Sequence, residues 1–66
     1  MSEIPRACAA RIIKSTGAER ISGDSLDAFV EALEDYGEKL ASKATKYAHH
    51  ANRKTVQTSD IKLALD

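Results

Sequence analysis

The chain has 66 residues and equal numbers of basic and acidic side chains, ten of each, so its formal net charge is zero. A chain of this size has difficulty burying enough apolar surface alone, and small domains usually rely on disulfides, a metal ion or a partner chain. Cys8 is the single cysteine, which excludes an internal disulfide, and no Cys/His cluster has the spacing of a metal site. We therefore expect one domain, residues 1–66, that shares its core with a second chain and uses neither a metal nor a cofactor.

The first predicted helix covers residues 6–15. Pro5 fits at its start, where the missing N–H removes no helical hydrogen bond. Gly17 is suited to the left-handed residue that ends a helix. Apolar residues recur between these two points at helical spacing, at Ala9, Ile12 and Ile13.

A second, much longer helix is predicted to begin at a cap, either Ser22 or Asp24, and to end at Asn52. Its apolar residues keep a 3.6-residue period over about 27 residues. Such a helix is roughly 40 Å long and has no room to fold back on itself, so it must cross a partner. Gly37 and its neighbours at helical spacing, Ala41 and Ala44, offer small side chains for a close crossing.

A third, short helix is predicted over residues 58–65, with Thr58 as its cap and Asp60 in its first turn. Residues 20–22 and 55–57 are too short for a core sheet, although they would suit a two-stranded patch between chains. No other strand is evident, so the sequence predicts an all-α protein.

The charges are segregated along the long helix. Residues 24–38 contain six acids and no base, whereas residues 39–54 contain five bases and no acid. This order complements the helix macrodipole. The acidic first half is equally well interpreted as a solvated helix face and as a surface with a function of its own.

Two basic segments flank the long helix, Gly17-Ala18-Glu19-Arg20-Ile21-Ser22 before it and Arg53-Lys54-Thr55-Val56-Gln57 after it. Cationic side chains and backbone amides gathered at a helix start are suited to holding a phosphate. Two such loops around one long helix indicate a nucleic-acid-binding protein built on an interdigitated dimer.

The segments that carry a family resemblance are Ala10-Arg11-Ile12-Ile13-Lys14, the first basic segment from Gly17 to Ser22, and Ala51-Asn52-Arg53-Lys54-Thr55-Val56 with Asp60-Ile61. With these segments, the chain closely resembles archaeal histones, and the resemblance extends from Ile4 to Leu65. It implies the histone fold, in which a short helix, a long central helix and a short helix form an interdigitated dimer. It also implies non-specific binding to double-stranded DNA, compaction of an archaeal chromosome, and a cytoplasmic, nucleoid-associated location.

The resemblance also implies roles for individual residues. Arg20 matches the loop arginine that enters the minor groove, and Thr55 matches the residue of the other chain that steadies it. Ser22 stands where backbone amides at the start of the long helix meet phosphate. The complete implied DNA-binding set is Arg11, Lys14, Arg20, Ser22, Lys54 and Thr55.

Two further sets of residues follow from the resemblance. Arg53 and Asp60 match a buried ion pair that holds the second loop on the third helix. The implied contact between dimers, through a four-helix bundle, consists of Ala44, Tyr47, His50 and Asp60. Adjacent helical residues diverge by about 100°, so His49 and His50 are poorly placed to chelate one metal ion.

Several positions depart from the usual archaeal pattern. Glu31 and Glu38 stand where basic residues are frequent, His49 replaces an arginine and Gln57 a lysine. Each change removes positive charge, which favours weaker DNA binding. Tyr47 replaces a smaller aliphatic residue at the implied contact between dimers, so assembly is also expected to differ.

The principal hypothesis is a homodimeric, non-enzymatic chromatin protein whose dimers stack into tetramers or filaments, alone or with other histone paralogues. Neither a nucleophile elbow nor a phosphate-binding glycine loop is present. Two alternatives remain open: a histone-fold interaction module that pairs with another chain, and a paralogue that caps filaments. No segment is long and apolar enough to predict a membrane span, and the N-terminus lacks the features of a secretory signal.

Overall fold

The computed structural model describes residues 4–66, which form three helices. They are α1 (Arg6–Ser15), α2 (Gly23–His50) and α3 (Thr58–Leu65), and these residues contain no strand. The prediction of an all-α chain with a short, a long and a short helix is therefore confirmed. None of the helices in this range combines the length and the apolar character that crossing a bilayer requires.

The connection between α1 and α2 follows the predicted caps. Gly17 has a φ of +105° and donates its N–H to the Lys14 carbonyl at 3.1 Å, which ends α1. Ser22 caps α2, because its hydroxyl oxygen accepts the Ser25 N–H at 3.2 Å and its carbonyl accepts the Leu26 N–H at 2.9 Å. Of the two predicted caps, Ser22 therefore takes this role.

The C-terminal end of α2 is a Schellman motif. Asn52 is left-handed, with a φ of 59°, and its N–H donates to the His49 carbonyl at 2.9 Å. The following N–H, from Arg53, reaches back to the Ala48 carbonyl at 3.0 Å. These two bonds satisfy carbonyls that the helix end leaves without partners and set the direction in which the next loop leaves the helix.

The bounds of α3 match the prediction, but its cap does not. Its cap is Gln57 and not Thr58, and Thr58 is the first helical residue. The reason is the Asp60 carboxylate, which accepts the Gln57 N–H at 2.8 Å and thereby organises the first turn around Gln57.

The chain divides into two compact units, with the boundary between Asp35 and Tyr36 inside α2. In the first unit, Ala9 and Val30 are buried. Arg6 Nε lies 3.3 Å from the Asp27 carboxylate, an exposed ion pair that joins α1 to the first half of α2. Ile12 is 49% exposed, so the apolar pattern of α1 is only partly covered.

The second unit contains the C-terminal half of α2, the following loop and α3. Its buried residues are small alanines of both helices together with Asp60: Ala44, Ala48, Asp60 and Ala64. The larger apolar side chains of α3 remain uncovered, with Leu63 52% and Leu65 56% exposed. Within this unit, α3 therefore packs through one alanine and leaves most of its apolar surface free.

Candidate nucleic-acid interface

The predicted DNA-binding cations of the first unit are all exposed. Arg11 and Lys14 lie on α1, and Arg20 lies in the loop that follows it. An Arg11 guanidinium N–H donates to the Cys8 sulfur at 3.3 Å, one turn back along the same helix. Arg6 differs from these residues because it is paired with Asp27.

Ser22 lies at the start of α2, as predicted. Its hydroxyl donates to the Ser25 hydroxyl at 2.9 Å and accepts the Ser25 amide, so its side chain is occupied by the cap. The Gly23 and Asp24 amides belong to the first turn, whose N–H groups have no intrahelical acceptor. An anion here would meet these amides, although the Asp24 carboxylate in the same turn opposes it.

In the second unit, the loop that carries Lys54 and Thr55 is fixed by a partly buried ion pair between Arg53 and the buried Asp60. Arg53 binds the Asp60 carboxylate through two parallel bonds, Nη1 to Oδ2 at 2.8 Å and Nη2 to Oδ1 at 2.9 Å. Nη1 also donates to the Thr55 carbonyl at 3.1 Å. Arg53 thus holds the loop backbone on α3, while Lys54 and Thr55 stay exposed.

The ion pair is charged at neutral pH. The hydrogen bonds from Arg53 and then from the Gln57 amide lower the pKa of Asp60 to about 2, although burial opposes this shift. The same hydrogen bond to Asp60 raises the pKa of Arg53. A charged, bidentate pair of this kind has a narrow range of geometries and is suited to fixing a loop.

The residues predicted for the contact between dimers differ in exposure. Ala44 is 0% exposed and Asp60 2% exposed, so the chain itself already covers both side chains. Tyr47 is half-buried and His50 is exposed. Only Tyr47 and His50 therefore offer side-chain surface for that contact, which stays a prediction.

One surface feature was not part of the predicted site. Lys46, His49 and His50 line an open cavity of about 320 Å³ on the C-terminal half of α2. The sequence shows only that the spacing of three and four residues places these side chains on neighbouring positions of a helix. Among the described residues, no group of three or more His, Cys, Asp or Glu side chains is arranged to hold a metal ion.

Comparison with known proteins gives consistent matches over nearly the full length. The family model of histone-like transcription factors (CBF/NF-Y) and archaeal histones matches residues 2–65. A component chain of the archaeal histone HAN1 of Thermococcus zilligii is 46% identical over 65 residues, which are 98% of this chain and 97% of that protein. Probable archaeal histone 3 of Methanocaldococcus jannaschii is 45% identical over 65 residues, again 98% of this chain and 97% of that protein.

The three helices and these matches define a histone-fold protein of the chromatin class, a structural class and not one of enzymes. The chain belongs to the family of histone-like transcription factors and archaeal histones. The resemblance inferred from the loop segments is thereby confirmed, and so is the order of short, long and short helices in the histone fold that it implied. The interdigitated dimer stays a prediction.

Proposed function

We propose that this protein is an architectural, non-enzymatic chromatin protein that binds double-stranded DNA without sequence specificity. The observation that carries the proposal is the loop after α2: a partly buried ion pair fixes its backbone and leaves Lys54 and Thr55 exposed. A rigid loop that presents a cation and a hydroxyl is suited to phosphate. Such contacts position a protein on the duplex but carry no sequence information.

The exposed cations of the first unit support the same function. Arg11 and Lys14 contact phosphates in this proposal, and Arg20 enters a minor groove that faces the protein. Related histones of the eukaryotic octamer use inserted arginines in this way and make no base-specific contacts. Sequence then influences binding only through the deformability of the duplex.

The binding form in this proposal is a homodimer. Its support is the uncovered apolar surface of α3, where Ile61, Leu63 and Leu65 are between 37% and 56% exposed. A second copy that covers these side chains stabilises both chains, since apolar burial contributes about 25 cal/mol per Å². Dimers then stack into tetramers or filaments through Tyr47 and His50, or combine with other histone paralogues, on the chromosome in the cytoplasm.

The test is fluorescence anisotropy of a labelled random-sequence duplex, titrated with the protein at several salt concentrations. If Arg11, Lys14, Arg20 and Lys54 each neutralise one phosphate in both chains, log K falls against log salt with a slope of about −7. Binding that is undetectable at low salt would refute the proposal.

One observation favours a second candidate, a histone-fold module that binds a protein partner. The first half of α2 carries acidic residues throughout, and residues 24–38 contain six acids and no base. These charges repel DNA and would suit a basic partner chain. A protein that forms a stable heteromer but shows no salt-dependent DNA binding would support this candidate. A paralogue that caps filaments would bind DNA and yet stop at the dimer.

A further inference from the structure

The C-terminal half of α2 presents a continuous cationic face. Lys43, Lys46 and His50 follow one another at intervals of three and four residues, so their side chains project from one side of the helix. All three are exposed. Within residues 4–66, the side chains of Lys43 and Lys46 take part in no ion pair or hydrogen bond. We call these residues, together with His49, the α2 cationic face.

The cavity on this face offers hydrogen-bond donors suited to an anion. The Lys46 ammonium group carries three N–H donors, and the imidazole rings of His49 and His50 each carry at least one. No acidic residue occurs between Lys39 and Lys54, so no carboxylate of this segment competes for these donors. The charge and the donors therefore both favour a negatively charged ligand.

We propose that Lys43 and Lys46 of the α2 cationic face bind phosphates of the DNA backbone, as a contact additional to those of α1 and the two loops. His50 remains part of the proposed contact between dimers. This inference rests on the proposed function, since it extends the same DNA-binding surface. Lys43 and Lys46 are three residues apart, about 4.5 Å along the helix. One strand of duplex DNA places a phosphate roughly every 3.4 Å along its axis, so the two lysines can reach neighbouring phosphates of one strand.

A spread, open surface fits a polyphosphate backbone better than a single small anion. The cavity of about 320 Å³ is open to solvent, so it does not enclose a ligand. Its donors are distributed along the helix and do not converge on one point. The competing interpretation is a solvated helix end, where cations are favourable because they complement the macrodipole. The two interpretations differ in whether DNA contacts Lys43 and Lys46.

The experiment compares the salt dependence of DNA binding for the parent protein, for K43Q/K46Q and for a control, K62Q. Lys62 is an exposed lysine of α3 that lies outside this face. If Lys43 and Lys46 each contact one phosphate in both chains of a dimer, the double variant has a slope about 4 smaller in magnitude than the parent. The parent slope is then about −11, compared with about −7 for the loop and α1 contacts alone. K62Q is expected to keep the parent slope.

A second measurement reports the contact directly. Lysine acetylation by a small amine-reactive reagent, followed by mass spectrometry, should be slower at Lys43 and Lys46 in the DNA complex, and unchanged at Lys62. Equal slopes for the parent and K43Q/K46Q, or equal acetylation with and without DNA, would overturn this inference alone. If the parent does not bind DNA, the proposed function fails and this inference fails with it.

Discussion

At the scale of single residues, the Arg53–Asp60 pair has a positioning role. A buried ion pair is weak evidence of net stabilisation, because removing two charges from water is costly. Its geometry is nevertheless specific: two parallel bonds, a third from the Gln57 amide, and a bond from Arg53 to the Thr55 carbonyl. These bonds connect the end of α2, the loop and the first turn of α3. The pair therefore determines where Lys54 and Thr55 are presented.

The titration of Asp60 gives the first prediction. Its folded-state pKa lies at about 2, below the ordinary value of 3.8. The charged carboxylate therefore contributes stability that is fully present above about pH 4 and is lost as the pH falls through about 2. We expect Asp60→Asn to melt at a lower temperature at pH 7 and to lose less stability than the parent between pH 4 and pH 2. Thermal melts followed by circular dichroism across this range check the prediction.

Asp27→Asn is the matched control for this experiment. The Asp27 side chain is 63% exposed and its partner Arg6 is 56% exposed, so solvent screens their interaction. The control should follow the acid dependence of the parent. An Asp60→Asn protein with that same acid dependence would show that the ion pair does not couple protonation to folding.

Arg20 gives a second prediction at this scale. Arg20→Ala should weaken binding to all duplex sequences alike and reduce the magnitude of the salt slope by about one for each arginine lost. Arg6→Ala is the matched control in the same unit, because Arg6 is paired with Asp27 and is not assigned to DNA. Anisotropy titrations of both variants at several salt concentrations measure the affinities and slopes that test this prediction. An Arg20→Ala slope and affinity equal to those of the parent would refute the minor-groove assignment.

At the scale of helices and loops, the ends of the helices were the most predictable feature. Gly17, Ser22 and Asn52 act through their own backbone or side-chain preferences, and the structure places each at the predicted helix end. The prediction of Thr58 as the cap was wrong, because the Asp60 carboxylate accepts the Gln57 N–H and makes Gln57 the cap. Residue preferences alone favour Thr58 as the cap and do not account for this bond between two residues of one turn.

Asn52 allows a prediction about the end of α2. A residue other than glycine or asparagine at a φ of 59° is strained, so Asn52→Ala should lower stability by about 1–2 kcal/mol. For a domain of this size, each 1 kcal/mol corresponds to about 4–8 °C in melting temperature. Asn52→Gly is the control, since glycine adopts this conformation without strain. Equal melting temperatures for the alanine and glycine variants would show that the Schellman geometry does not contribute to stability.

Burial was less predictable than the helix ends. Of the apolar residues of α3, only Ala64 is buried, while Leu63 and Leu65 are largely exposed. A pattern in one sequence shows which face of a helix is apolar, not which part of that face the same chain covers. For the same reason, the predicted contact residue Ala44 proved to be covered by its own chain. The cavity on α2 was not predicted, because the spacing of two histidines and a lysine does not by itself distinguish a cavity from a solvated helix face.

At the scale of the whole molecule, zero net charge and proposed DNA binding are compatible because the charges are segregated. Six of the ten acids lie within residues 24–38, whereas all ten bases lie in the segments on either side. DNA responds to local charge within about one Debye length, roughly 10 Å at 0.1 M salt. Phosphates can therefore be attracted by the proposed contacts on α1, in the loops and on the α2 cationic face, although the net charge of the protein is zero. The acidic segment should nevertheless make binding weaker than for a uniformly basic protein.

The proposed dimer can be tested at Gly37, where the long helices are predicted to cross. Ala44 is covered by its own chain, so Gly37 and Ala41 are the small residues left for this crossing. A Cβ added at Gly37 meets nothing within 4 Å in the described chain. In an unpartnered helix, Gly37→Ala should therefore stabilise the protein by about 1 kcal/mol.

In a dimer that crosses closely at Gly37, the added methyl group separates the two backbones. We therefore expect Gly37→Ala to raise the dimer dissociation constant despite its better helix propensity, as measured by analytical ultracentrifugation over a range of concentrations. Gly23→Ala is the control, because its Cβ would meet only Arg6 Nη2, at an ordinary contact distance of 3.7 Å. If Gly37→Ala gains stability and dimerises like the parent, the close crossing is wrong. If the parent itself is a stable monomer at micromolar concentration, the shared core is wrong as well, since Leu63 and Leu65 then remain exposed in the functional protein.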